Sequence, residues 1–85
     1  MLQLRKEIIK KMKVSISSIN DIYRFVELAQ NAEGDVVVRK GKFCVDGRSA
    51  LGVLSLNLTS GVTIEFAPTP ANQPLIDFLE QFEVK

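Results

Sequence analysis

Apolar positions change period repeatedly along this chain, and each change marks an element. Met12, Val14 and Ile16 alternate with Lys13, Ser15 and Ser17. Period two predicts a strand with one buried face. "SSIND" then has the form of a helix start, with Ser18 as cap and Asp21 three residues on, a capping-box spacing. Ile19, Ile22, Tyr23, Val26 and Ala29 follow at helical spacing, with Phe25 and Leu28 alongside. The run from Asn31 to Gly34 ends that helix. "DVVVRKGKFCV" predicts a hairpin, with Val36 to Val38 and Phe43 to Val45 as strands and Lys40-Gly41 as turn. Val36 and Val38 share one face, as do Phe43 and Val45, while Cys44 and Asp46 point to the opposite, more exposed side.

"RSALGVLSL" predicts a short helix with Ser49 near its start. Leu51, Val53, Leu54 and Leu56 are too many apolar residues for one narrow stripe. Such a helix is either deeply buried or leaves part of its apolar surface for a partner. "TSG" is a turn, and Val62, Ile64 and Phe66 alternate with Thr63 and Glu65 as another strand. "APTPANQP" is a break and helix entry, with Thr69 a candidate cap before Pro70. Leu75, Phe78, Leu79 and Phe82 mark the inner face of a last helix. The order strand, helix, two hairpin strands, short helix, strand, helix predicts an α+β fold, with helices on one face of an antiparallel sheet.

Eighty-five residues fit one small domain. Residues 1 to 11 form a basic extension ahead of a folded module that begins near Met12 and runs to residue 85; Leu4, Ile8 and Met12 are spaced for one helical face. The basic residues crowd this start, but the net charge is only +1, which argues against a nucleic-acid interface. No apolar run approaches membrane-spanning length, and the start lacks the continuous apolar core of a signal peptide. A single cysteine allows no intrachain disulfide, in keeping with a cytoplasmic setting.

The chain has no histidine. Histidine metal sites, histidine general bases and phosphohistidine chemistry are therefore excluded, and no cofactor is implied. Cys44 has no histidine or second cysteine to activate it. No nucleophile has a matching base, so the chain is expected not to be an enzyme.

The element order, and above all "GKFCVDGRSALGVLSL", resemble the HPr family, the histidine phosphocarriers of the bacterial sugar phosphotransferase system. Arg48, Ser49, Ala50, Leu51, Gly52, Val53, Leu54, Ser55 and Leu56 match, in order, the second helix of the Gram-positive branch. The resemblance runs from about Lys13 to Glu83. It implies an open-faced sandwich of four strands and three helices, β-α-β-β-α-β-α. It also implies two kinds of chemistry. A histidine at the start of the first helix receives phosphate from Enzyme I and passes it to sugar-permease domains. In Gram-positive relatives a dedicated kinase phosphorylates the serine opening the second helix, and a catabolite-repression regulator binds that form.

The family's first loop reads Gly-x-His-x-Arg-Pro. In ungapped register from Phe25, the histidine falls on Ser18, the arginine on Asn20 and the proline on Asp21. Ser18 reads most simply as a helix cap, worth about 1 kcal/mol. Ser49 matches the regulatory serine, and it reads two ways: as a plain cap, or as a site where phosphate is added beside Arg48. Arg48, Ala50, Leu51 and Leu54 match the family's partner-contact positions. Crh-type paralogues keep the serine, lose the histidine and act in regulation, and this chain is similar in logic. The expectation is a regulatory partner-binding protein with a serine switch. The alternatives are a non-phosphorylated interaction module and, less favoured, a phosphocarrier using another residue. The partners implied are proteins: a serine kinase and a catabolite-repression regulator, with Enzyme I-type partners less favoured, and neither nucleic acid nor membrane.

Overall fold

The computed structural model describes residues 8–84. Four strands form one antiparallel sheet: β1 (Lys10–Val14), β2 (Val37–Lys40), β3 (Phe43–Asp46) and β4 (Val62–Phe66), in spatial order β1-β4-β2-β3. Three helices are α1 (Ile19–Gln30), α2 (Ala50–Ser55) and α3 (Gln73–Glu80), with 3₁₀ turns at Leu58–Ser60 and Pro70–Asn72. The element order is the one read from the sequence.

Strand alternation decides which face is covered. Met12, Val14, Val38, Val62, Ile64 and Phe66 are buried beneath the helices, together with Phe25, Val53, Leu75 and Leu79. The opposite face carries Lys11, Lys13, Arg39, Cys44, Thr63 and Glu65, and it is the open side of the sandwich. Across that face Arg39 forms a forked pair with Glu65, at 2.8 and 3.4 Å. The pairing draws the Glu65 carboxyl below the usual carboxylate range and holds the Arg39 guanidinium above its ordinary value.

The structure departs from the sequence expectations in several places. β1 begins at Lys10, ahead of Met12, because β4 extends to Phe66 and pairs with Lys10. It ends at Val14, since β4 starts at Val62 opposite it. Ser15 and Ile16 turn their amides to Phe82 and Leu58 instead. Ile8 is exposed and Met12 lies in a strand, so these two share no helical face; Leu4 lies outside the described residues. In α1 the buried stripe is Ile22, Phe25, Val26 and Ala29, whereas Ile19 and Tyr23 stand about half exposed on its flank. Phe43 shares a face with Val45 but lies at the hairpin tip, where no helix covers it.

Thr69 stands at the N-cap position of the Pro70–Asn72 turn, with Pro70 just after it, but makes no side-chain capping bond. α3 itself starts at Gln73, directly after that turn, and Asn72 at the junction turns its amide inward. Asn72 Oδ1 accepts the Glu33 amide at 2.7 Å, and its Nδ2 donates to the Glu33 and Ala67 carbonyls at 3.0 and 2.8 Å. This clip ties the loop after α1 to the entry of α3. A buried polar side chain with all these partners is a stable arrangement; the same group unpaired would be costly.

Candidate functional site

The two helix starts singled out in the sequence have different surroundings. At α1, Ser18 is the N-cap, and its Oγ accepts the Asp21 amide at 3.4 Å. Asp21 lies in the first turn, where a carboxylate complements the positive helix end. Asn20 is exposed beside it. Ser18 Oγ thus engages the Asp21 amide, and a first-turn carboxylate adds negative charge at this helix end.

At α2, Ser49 is the exposed N-cap, and its Oγ accepts the Gly52 amide at 3.2 Å. Two glycines set this helix on the sheet. A Cβ on Gly47 would stand 2.7 Å from Val36 Cγ1, so only glycine lets the chain turn here, where the Gly47 amide reaches the Val36 carbonyl. A Cβ on Gly52 would stand 3.3 Å from Val45 Cβ, so glycine brings α2 close to β3. At the other end Lys40 Nζ donates to the Leu56 and Asn57 carbonyls, a cation at the negative end of α2.

Arg48 is committed elsewhere than to Ser49. Its Nη2 lies 2.9 Å from Asp35 Oδ1, its Nε lies 3.5 Å from Asp46 Oδ1, and its amide donates to the same Asp46 oxygen at 2.9 Å. Its carbonyl accepts Gln30 Nε2 from the end of α1. The loop that presents Ser49 is thus fixed to both α1 and the sheet.

Around Ser49 the four candidate contact residues separate. Leu51 is 84% exposed, one of the most exposed large apolar side chains. Ala50 and Leu54 are partly buried and pack against the core, and Arg48 is partly exposed. Val53 and Leu56 supply the inner stripe, so the surplus of apolar residues in α2 resolves into a buried face and a projecting Leu51. A shallow groove between α1 and α2 is lined by Asn20, Tyr23, Arg24, Glu27, Gln30 and Ala50. Half-exposed Tyr23 and the buried Val26 give this groove its apolar wall. Tyr23 follows the helical spacing of the apolar residues, and its place on the flank comes from Ile22 and Val26 taking the centre of the stripe.

No helix among the described residues is long and apolar enough to cross a membrane. Neither curated proteins nor solved structures gave a match to this chain. A family model does: the one described as the PTS HPr component phosphorylation site, over residues 20–82. That match takes in α1, the hairpin, α2, β4 and α3, the sheet and helices have the arrangement the resemblance implied, and the chain therefore belongs to the PTS-HPr family.

Proposed function

We propose that this HPr-family chain is a regulatory, partner-binding protein of the sugar phosphotransferase system, acting in the cytoplasm, with Ser49 as a phosphorylation switch. The observation that carries the reading is the pairing of an exposed Ser49 at the start of α2 with the projecting Leu51 two residues on. A kinase would transfer the γ-phosphoryl group of ATP to Ser49 Oγ, releasing ADP and the hydroxyl proton. The phosphate keeps an oxygen for the Gly52 amide and adds about −1.5 to −2 charge beside Leu51. The same apolar surface then meets partners with a different charge at its rim. Relay of phosphate through histidine is not open to a chain without histidine. Ser18 is a poor relay, since a serine phosphate ester lacks the transfer potential of a phosphoramidate.

One observation favours the second reading, an interaction module that is not phosphorylated. Asp35 and Asp46 already hold Arg48, so a phosphate on Ser49 must compete with two carboxylates for one guanidinium. Titration calorimetry with a catabolite-repression regulator separates the two. The switch reading expects binding by the Ser49-phosphorylated chain, lost by Ser49→Ala and weakened about tenfold or more by Leu51→Ala. Binding that is equal with and without phosphate supports the interaction module and contradicts the switch.

A further inference from the structure

β3 is an edge strand, and among the described residues no strand pairs with its outer side. The hairpin loop places Lys40 opposite Phe43, with Gly41 at φ +59° and Lys42 between them. A two-residue loop of this kind closes on a hydrogen-bonded pair. Alternation along an antiparallel ladder then has Phe43 and Val45 bonding to β2, while Cys44 and Asp46 turn their backbone groups outward. The free edge is therefore centred on Cys44.

The turn residue Lys42 and the four residues of β3 that follow it read Lys-Phe-Cys-Val-Asp. This run is complementary to its own reverse. An antiparallel partner of the same sequence, in register at Cys44, places Lys42 opposite the second copy's Asp46, and Phe43 opposite its Val45. The reciprocal pairs form by symmetry. Charge thus meets opposite charge at both ends of the seam, where Asp46 Oδ1 is held by Arg48 and Oδ2 is left for Lys42 of the second copy, and an aromatic side chain meets a β-branched one twice in its interior. Phe43 is 70% exposed beside a shallow groove that it lines with Ser55 and Leu56 at the end of α2, and Lys42 and Cys44 are also exposed. The Asp46 carbonyl accepts the Ser49 amide at 3.0 Å and keeps a second lone pair for the seam.

We propose that a second copy of this chain pairs with the β3 edge, joining two four-stranded sheets into one across a two-fold axis at Cys44. The occupant is argued from this complementarity. Lys42 on an edge discourages unrelated strands, because it faces whatever residue they bring. In self-pairing the residue it faces is Asp46. The contact is isologous, and each copy presents the same five residues. A shift of one residue would set Phe43 beside a charged or outward-facing position and lose both ion pairs, so the register is specified by the side chains. The seam does not involve the exposed Leu51 surface and does not depend on phosphate at Ser49.

One short strand per copy makes a small interface of the weak, transient kind. The test is sedimentation equilibrium of the full chain in reducing buffer, up to about 1 mM protein. The wild-type chain is expected to dimerise reversibly. Lys42→Asp places like charges opposite each other at both ends and should weaken the dimer at least about fivefold. Cys44→Pro removes the central outward amide at an edge position where proline leaves the monomer's own ladder intact, so it should abolish the dimer with an unchanged circular dichroism spectrum. Cys44→Ser should dimerise like the wild type, and a short bismaleimide should crosslink the wild type but not Cys44→Ser. A monomer at every concentration overturns the proposal. So does a dimer that is indifferent to Lys42→Asp, whatever Cys44→Pro does to the fold.

Discussion

Arg48 stands next to Ser49 in the chain, yet its guanidinium lies 2.9 Å from Asp35 and is shared with Asp46, while Ser49 bonds the Gly52 amide. The cation nearest to Ser49 in the chain is thus already held by two carboxylates. Both carboxylates are exposed, so the pairs are weak in water and can be exchanged. A doubly charged phosphate at the α2 start would be a stronger acceptor than either carboxylate.

That competition is open to test. Asp35→Asn frees one face of Arg48, and because the Asp35 side chain is 89% exposed, it should change the stability of the unmodified chain by less than about 0.5 kcal/mol. In the Ser49-phosphorylated chain, thermal denaturation should show a larger gain from phosphate in Asp35→Asn than in the wild type. An equal gain in both would mean that Arg48 stays with its carboxylates.

Ser49 also has a stability role that needs no modification. Ser49→Ala removes the acceptor for the Gly52 amide and should cost about 1 kcal/mol in urea denaturation. Ser49→Asp restores an acceptor and adds a negative charge at the positive helix end, so it should recover most of that loss. Should Ser49→Ala unfold at the wild-type midpoint, water at this exposed site replaces the cap.

Asn72 should be far more sensitive. Its side chain is 1% exposed and bonds the Glu33 amide, the Glu33 carbonyl and the Ala67 carbonyl. Asn72→Ala leaves those groups facing a small cavity, and about 2–3 kcal/mol of stability should be lost. Asn72→Asp should be destabilising at neutral pH, because a carboxylate then faces two carbonyl oxygens. Midpoints of urea denaturation for both variants check this; a loss under about 0.5 kcal/mol in Asn72→Ala would show that the clip contributes little.

The Arg39–Glu65 pair predicts a pH signature. The Glu65 carboxyl titrates lower in the folded chain than an ordinary glutamate, chiefly through its bond from Arg39. Its contribution is therefore fully present above the unfolded value of about 4.3 and disappears as pH falls through the folded value. In Glu65→Gln the loss of stability below about pH 4.3 should be shallower than in the wild type, by urea midpoints across pH 2.5 to 6. Parallel profiles would remove Glu65 from the acid response.

Most of this fold was legible because its elements are consistent with themselves. Val62, Ile64 and Phe66 alternate cleanly, and a strand with one buried face is what they make. Val53 against Leu51 was legible only as an excess of apolar residues; the covered side of α2 had to be seen to tell which leucine projects. The ends of β1 depended on where a distant strand begins and stops, and nothing near Met12 encodes that. Asn72 lay hidden in a Pro-rich break, where an inward-turned amide has no periodic signal. Tyr23 was misplaced because a helix flank and a helix centre differ by little more than one position in spacing. Ser18 and Ser49 could both be read as caps from sequence, and both are; the clamp on Arg48 needed Asp35, brought there by folding.

The most direct measurement is intact mass before and after incubation with ATP and the HPr serine kinase of the same host, alongside Ser49→Ala and a related HPr in the same tube. The switch account predicts one added phosphate on this chain and none on Ser49→Ala. An unmodified chain, with the related HPr fully phosphorylated beside it, would contradict that account and leave Ser49 as the cap of α2.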